Sequence, residues 1–136
     1  MKRIIILLIL LSSVAVTFIC INVYGETKEI ERCISFLKSY GWDAEKEPCE
    51  KSEVTIPAEF DEVYKSYNII QKDAGLDLEP YKGKSGMRYT FVINNYPIDV
   101  GECVYGDVIC IDGKPTAGDI KTNSMSGFMH SLKKIN

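Results

Sequence analysis

An almost unbroken apolar run near the start of the chain limits what the remainder can fold into. The run covers residues 4–21 and follows two basic residues, Lys2 and Arg3. A basic start followed by about 18 apolar residues is typical of an export signal, although this run is long for a cleaved signal peptide and slightly short for a membrane span. The sequence therefore predicts a signal peptide or membrane anchor in residues 1–25. Residues 26–136 leave room for one domain.

Both fates of the apolar segment put the domain on the outer side of a membrane. Val23, Tyr24 and Gly25 are acceptable to signal peptidase, so cleavage before Glu26 would release the domain. If the segment is retained, the basic residues at its start favour a cytoplasmic N-terminus and an external C-terminal domain. We expect either a single-pass protein of the cell membrane, held through residues 4–21, or a secreted protein.

The charge of the domain argues against nucleic acid as a partner. The chain has 16 basic and 19 acidic residues, and two of the basic ones, Lys2 and Arg3, precede the apolar run. The part that follows therefore carries a net charge of about −5, which repels phosphate backbones.

The cysteines of the domain are even in number, which in an exported domain favours disulfides. Four lie outside the apolar run: Cys33, Cys49, Cys103 and Cys110. They allow three connectivities, and buried free thiols are the alternative. If Gly106-Asp107 is a tight turn, Cys103 lies opposite Cys110; if the strand runs straight, bridges between helix and sheet are needed. The C-x-x-C spacing of a zinc site is missing, and the sequence indicates no metal or cofactor.

Apolar residues at helical spacing predict the helices of the domain. The first covers residues 26–40 and is followed by Gly41, a residue type common just after helix ends. The second covers residues 57–72, with a proline at its first position and acidic residues in its first turn. A shorter pattern over residues 125–132 predicts a terminal helix.

Alternation of apolar and polar residues predicts the strands. Residues 53–56 form a short strand, residues 87–94 form a longer one, and a third lies between Cys103 and Ile111. Each has one face suited to a core.

A hairpin extends this sheet. Asp112-Gly113 predicts a two-residue turn into a strand over residues 114–121, in which Pro115 indicates a position at the sheet edge. The order of elements predicts an α+β fold, with an antiparallel sheet of three to four strands packed on one face against two helices. The N-terminal apolar helix precedes this domain.

His130 is the only histidine, so acid–base chemistry would depend on it. Asp119 is a conceivable orienting partner, and this pair would define a small enzyme if the two side chains met in a pocket. The alternative is a histidine at the surface or at a helix end. Because no Gly-x-Ser-x-Gly motif is present either, we expect no catalytic residues and no enzyme. His130 and Asp119 remain candidate ligand-binding residues.

A basic loop offers a candidate site for ligand binding. Lys82, Lys84 and Arg88 are candidate anion ligands, with an ordinary solvated loop as the alternative. Gly83-Lys84-Ser85 imitates the end of a phosphate-binding loop, but Leu78 stands where that motif requires its first glycine. The motif therefore fails.

Seven short segments, spread over roughly Arg32 to Leu132, form a specific combination. They are Phe-Leu-Lys-Ser-Tyr-Gly-Trp at 36–42, Glu-Val-Thr-Ile-Pro at 53–57, Tyr-Lys-Gly-Lys at 81–84, Arg-Tyr-Thr at 88–90, Asn-Tyr-Pro at 95–97, Gly-Asp-Ile at 118–120 and Gly-Phe-Met-His at 127–130. In these the chain resembles an uncharacterised family of exported or membrane-anchored proteins, mostly from Firmicutes, known only as a domain of unknown function. Pro115 and the cysteines depart from the family's usual pattern. The resemblance implies an external location and the extent of the domain, without an activity.

These observations favour a non-enzymatic extracytoplasmic module of the cell envelope with a binding, sensor or accessory role. Its partner would be an envelope protein or a small ligand. Two alternatives remain: a small envelope enzyme using His130 and Asp119, and a secreted protein inhibitor that presents a loop such as residues 96–102.

Overall fold

The computed structural model describes residues 1–134 of the chain. Its first element is a single helix, α1 (Lys2–Ser39), which contains both the apolar run and the first predicted helix of the domain. No proline interrupts this stretch. The helix ends just before Gly41, whose φ of 89° is strained for any residue with a Cβ, so the predicted glycine stop is confirmed.

The two parts of α1 have different surroundings. The side chains of residues 4–21 are exposed, and the most apolar window of Arg3–Ser39 has a mean hydropathy of 3.1, which with the length of the helix is enough to cross a membrane. Further along the same helix, Cys33 and Leu37 are fully buried in the domain. Helix α1 therefore joins the apolar segment to the domain core without a linker.

The domain contains a five-stranded antiparallel sheet in which every strand pairs with the next one along the chain. The strands are β1 (Glu50–Thr55), β2 (Ser85–Val92), β3 (Tyr105–Ile111), β4 (Lys114–Lys121) and β5 (Met129–Ser131). The predicted α+β class is confirmed, but the sheet has five strands rather than three to four.

The hairpin between β3 and β4 is confirmed at Asp112-Gly113. The φ angles of these residues are 52° and 71°, as a type I′ turn requires. Strand β3 runs straight through Gly106-Asp107, so the alternative in which those residues form a tight turn is wrong. Cys103 and Cys110 are therefore not brought opposite each other.

Different helices cover the two faces of the sheet. On one face Cys33 of α1 packs in a cluster with Val108 of β3, and on the other Ile109 packs in a cluster with Tyr67 of α2 (Glu62–Asp73). Successive strand residues point to opposite faces, so the helices lie on opposite sides of the sheet. The prediction that both share one face is wrong, because the central strands are apolar on both faces.

Helix α2 begins at Glu62 rather than at Pro57. Asp61 is its N-cap, and the Asp61 carboxylate accepts a hydrogen bond of 2.8 Å from the backbone N–H of Tyr64. An acidic cap satisfies an otherwise unpaired donor at the positive end of the helix, which a proline cannot do. The preceding four residues are irregular.

The predicted terminal helix is wrong. Residues 122–128 form a loop, and residues 129–131 form β5, which pairs with Asp119–Lys121 of β4. Met125, the first apolar residue of the helical pattern, is fully exposed and therefore marks no buried face. Pairing with the open side of β4 decides the structure of this segment.

The predicted edge position of the strand that contains Pro115 is also wrong, because β4 lies between β3 and β5. However, β5 covers only the end Asp119–Lys121, so the Pro115 end of β4 has no strand on that side. Opposite it, the β3–β4 register shifts by one residue between Ile109 and Cys110. A proline without an N–H is tolerated at such a bulge.

Candidate functional site

A row of buried polar side chains crosses the sheet on the face covered by α2. Its members lie directly opposite one another on β2, β3, β4 and β5: Thr90, Asp107, Asp119 and Ser131. All four are buried. We refer to these four residues as the polar row. Two carboxylates side by side in a sheet interior require compensation by hydrogen bonds or cations.

Asp107 obtains this compensation directly. The Thr90 hydroxyl donates to Asp107 Oδ1 at 2.6 Å, and the Lys121 ammonium donates to Oδ2 at 2.6 Å. The Arg88 guanidinium lies 4.0 Å from the same carboxylate. Because Lys121 is itself mostly buried, this ion pair is shielded from solvent. Both oxygens of the Asp107 carboxylate therefore have hydrogen-bond partners, and one of those partners is a cation.

Asp119 lies in a different environment. The Tyr67 hydroxyl of α2 donates to its Oδ1 at 2.8 Å, whereas Oδ2 is buried without a hydrogen-bond partner among the described residues. Burial, followed by the charge of Asp107, raises the pKa of Asp119 to about 7, although Tyr67, Lys121 and Arg88 act in the opposite direction. Burial and Asp119 in turn raise the pKa of Tyr67 well above 10. The site can therefore hold and release one proton near neutral pH.

A cleft begins where the polar row ends. The Ser131 hydroxyl donates a short hydrogen bond to Asp73 near the end of α2. Both residues line a cleft of about 470 Å³ between α2, β5 and the chain after β5. Its lining residues are Ile69, Ile70, Asp73, Met129, His130, Ser131, Lys133 and Lys134. We call this the α2–β5 cleft.

The α2–β5 cleft combines an apolar wall with a basic rim. Ile69 and Met129, on opposite sides of the cleft, are 68% and 46% exposed. Lys133 and Lys134 follow β5, and Lys134 Nζ donates to the backbone oxygen of Gly41 at 3.1 Å. The volume is of the order found in small-molecule or peptide sites.

The structure does not bring His130 and Asp119 together. His130 lies opposite Ile120 in the β4–β5 pairing, so its side chain is on the α1 face, whereas Asp119 is on the α2 face. Its Nε2 is hydrogen-bonded to the Tyr96 hydroxyl at 3.1 Å, and its ring stacks on Phe128 at 5.5 Å. His130 therefore belongs to an aromatic cluster that borders the cleft.

The predicted anion ligands each have an acidic neighbour of their own. Lys82 pairs with Glu79 at 2.7 Å and Lys84 lies 4.0 Å from Asp112. Arg88 contacts Glu50 at 3.4 Å in addition to Asp107. These three cations share no carboxylate, and an anion would have to compete with partners already present.

The four cysteines of the domain fall into two groups. Cys33 and Cys110 are buried, whereas Cys49 and Cys103 are exposed. The charge of Cys103 is the largest cause that raises the pKa of Tyr105. Among residues 1–134, no group of three or more His, Cys, Asp or Glu side chains is arranged to hold a metal ion.

Sequence reasoning missed most of the polar row. Of its residues only Asp119 was a candidate; Thr90, Asp107 and Ser131 were not, and neither were Tyr67 and Lys121, which hydrogen-bond to it. A usable signal existed, since an aspartate stands in the middle of each of the two strands predicted around the hairpin. A charged residue inside an apolar strand is rarely buried without a partner.

The fold is that of a small α+β domain carried on a long apolar helix, with one cleft beside its edge strand β5. Residues 36–118 match the model of a domain of unknown function, DUF4830, and the chain belongs to this family. The match begins near the end of α1 and ends before Asp119, so β5 and the wall that it adds to the cleft lie beyond the matched residues. No curated protein and no solved structure matches the chain.

Proposed function

We propose that this chain is a non-enzymatic binding module of the cell envelope, held at the outer face of a membrane by α1. Its ligand would be an extended segment of an envelope protein that enters the α2–β5 cleft. The observation that carries this proposal is the continuity of α1 from the exposed apolar segment into the domain core. Something apolar must cover that segment, and a lipid bilayer matches its length and composition.

The continuous helix also supports a position of the cleft away from the membrane. Ser39, at the end of α1, lies 18 residues beyond Ile21, or about 27 Å along a helix. Lys134 of the cleft contacts Gly41, directly after that end. A retained anchor would therefore hold the cleft well away from the lipid surface, where a partner in the envelope can reach it.

The two edges of the sheet favour the cleft over the opposite side as the binding surface. Edge strand β1 has charged residues along its length, namely Glu50, Lys51 and Glu53, which protect an edge against pairing. Edge strand β5 carries Met129, His130 and Ser131 and opens onto the cleft. An added strand could pair with β5 while its apolar side chains contact Ile69. Lys133 and Lys134 would favour a segment with acidic residues.

Site-specific photo-crosslinking tests this proposal. We expect a photoreactive amino acid at Ile69 or Met129, introduced into the full-length chain, to crosslink one discrete envelope protein in intact cells. The matched control is the same substitution at Val63, which is also on α2 and 76% exposed but does not line the cleft. Equal yields of the same product from Val63 and Ile69 would contradict binding in the cleft.

The anchoring is tested separately by extraction of membranes with alkaline carbonate. We expect the full-length chain to remain in the pellet with an intact N-terminus, because removal of about 18 apolar residues from a bilayer is strongly unfavourable. A soluble product that begins at Glu26 would instead identify a cleaved signal peptide and a secreted domain. The crosslinking result would then apply to the released form.

The geometry gives the acid–base alternative no support. An enzyme that uses His130 and Asp119 needs both side chains at one reacting atom, and they point to opposite faces of the sheet. We expect Asp119→Asn, which removes the other member of the pair and leaves the lining of the cleft intact, to retain the function of the full-length chain in a deletion strain. Loss of that function, with folding and crosslinking at Ile69 unchanged, would argue for a chemical role.

A further inference from the structure

Two thiols meet in the core at the contact between α1 and the sheet. Cys33 of α1 and Cys110 of β3 have their sulfur atoms 3.2 Å apart, and both residues are buried. They are separated by 77 positions in the chain and belong to the two elements that the fold must hold together. We propose that Cys33 and Cys110 form a disulfide that fixes the anchor helix to the central strand of the sheet.

The geometry excludes the competing connection between Cys103 and Cys110. Strand β3 is extended from Tyr105 to Ile111. At about 3.3 Å per residue, the five steps from Tyr105 to Cys110 cover roughly 16 Å, and the two residues before Tyr105 can bring Cys103 back by at most about 7.6 Å, whereas a disulfide needs Cα atoms within about 7 Å. Of the three connectivities allowed by four cysteines, only the one that joins Cys33 to Cys110 fits this sulfur contact.

Bond formation must precede the final burial of these sulfurs. The contact with Cys33, together with burial, raises the pKa of the Cys110 thiol, so the reactive thiolate is disfavoured once the domain has folded. The oxidant would be the disulfide of a thiol–disulfide oxidoreductase, which meets the chain before α1 docks. Its two sulfurs take up the two electrons and two protons that the thiols of Cys33 and Cys110 release, and one new S–S bond replaces one that breaks.

The disulfide would make α1 and the sheet one mechanical unit. Cys33 lies 12 residues after Ile21, the end of the apolar run, so the bond would join the sheet to α1 beyond the lipid surface. A force or tilt applied to the anchor would then reach β3 through a covalent connection rather than through apolar packing alone. Such a connection suits a domain whose cleft must keep its distance from the membrane.

Peptide mapping of the full-length chain tests the proposal. One sample is purified in detergent after export, and a second is refolded with reduced and oxidised glutathione, so the result does not depend on the location of the protein in the cell. Both are denatured without reductant, alkylated, and digested with trypsin and Asp-N, which cuts between Cys103 and Cys110 at Asp107. We expect peptide 33–38 joined to peptide 107–111, with a loss of two hydrogen atoms. Alkylation of Cys33 and Cys110 in the refolded sample, or a link from Cys33 to Cys49 or Cys103, would refute the proposal.

Thermal unfolding provides a second test. A disulfide that closes so long a loop should raise the Tm by roughly 10 °C or more, and full reduction should remove this increase. We expect the Tm of Cys49→Ala to fall on reduction as it does in the wild type, because Cys49 is exposed and is not part of the contact. We expect the Tm of Cys110→Ala to be the same before and after reduction. An identical Tm for oxidised and reduced wild-type protein would contradict a stabilising bond.

Discussion

Lys121→Ala is expected to lower the free energy of unfolding at pH 8 by about 3–4 kcal/mol, because it leaves the buried Asp107 carboxylate without its cation. The side chains of Lys121 and Asp107 are only 17% and 3% exposed, so water cannot take the place of the ammonium group. Arg88, at 4.0 Å, is too distant to donate a hydrogen bond in its present position. Denaturant unfolding of the full-length chain in detergent measures this change.

The matched control is Lys65→Ala, which removes an ion pair of similar length from the surface. Lys65 and Glu62 are 2.7 Å apart but 58% and 89% exposed, so the expected loss is below about 1 kcal/mol. The double variant Asp107→Asn with Lys121→Met should recover most of the stability, since it removes both charges and keeps an acceptor for Thr90. Equal effects of Lys121→Ala and Lys65→Ala would show that the buried pair is not important.

The stability of the wild-type protein is expected to fall by about 3 kcal/mol between pH 5 and pH 8 because of Asp119. The pKa of this carboxyl is about 7 in the folded domain against an ordinary value of 3.8. Between these values the folded state keeps a proton that the unfolded chain has released. Stability from this group is therefore greatest at the acid end, declines as the pH rises toward about 7, and is constant above it.

The groups that face Asp119 determine the size of this effect. They are Tyr67 from α2, Asp107 from β3, Lys121 from β4 and Arg88 from β2. Asp119→Asn keeps an acceptor for the Tyr67 hydroxyl but cannot ionise. We therefore expect the contribution of this group to the difference in free energy of unfolding between pH 5 and pH 8 to disappear. The difference between wild type and variant isolates Asp119 from every other titrating residue.

Asp77→Asn is the control for the pH series. Hydrogen bonds from Asn68 and from the backbone N–H of Glu79 lower the pKa of Asp77, so this exposed carboxylate is ionised in both states throughout pH 5–8. Its replacement should leave the pH dependence of the wild type unchanged. If Asp119→Asn showed the same slope as the wild type, the raised pKa of Asp119 would be wrong.

The proton held by Asp119 lies under the helix that forms one wall of the cleft. Tyr67, its hydrogen-bond donor, is on α2 two residues before Ile69 of the cleft. The polar row ends at Ser131, which is bonded to Asp73 of the same helix. Ionisation of Asp119 therefore acts on the contacts that hold α2 against the sheet.

Much of the fold follows from local patterns in the sequence. The apolar run, the helical spacing before Gly41 and the Asp112-Gly113 turn each predict an element that the structure contains. These signals are local, because the conformation depends on neighbouring residues only. Family membership is likewise fixed by the sequence of residues 36–118.

The faces on which the helices lie, and the existence of β5, were decided by tertiary contacts. Strand β3 is apolar on both faces, so its pattern alone does not say which helix covers which side. The segment after residue 124 has helical spacing, yet the unpaired side of β4 offers hydrogen bonds that a short helix there could not replace. Long-range partners were decisive in both cases.

The polar row depends on a single β-bulge that no local sequence pattern predicts. Without a bulge, the register set by the two-residue turn at Asp112-Gly113 would place Asp107 opposite Gly118 and turn Asp119 to the α1 face. The one-residue shift after Ile109 instead sets Asp107 opposite Asp119 on the α2 face. The sequence by itself thus determined the long N-terminal helix, the Asp112-Gly113 hairpin and the presence of an aspartate in each of the two strands of that hairpin. Only the tertiary structure decided that they meet, because a slip of one residue reverses the face of every side chain in a strand.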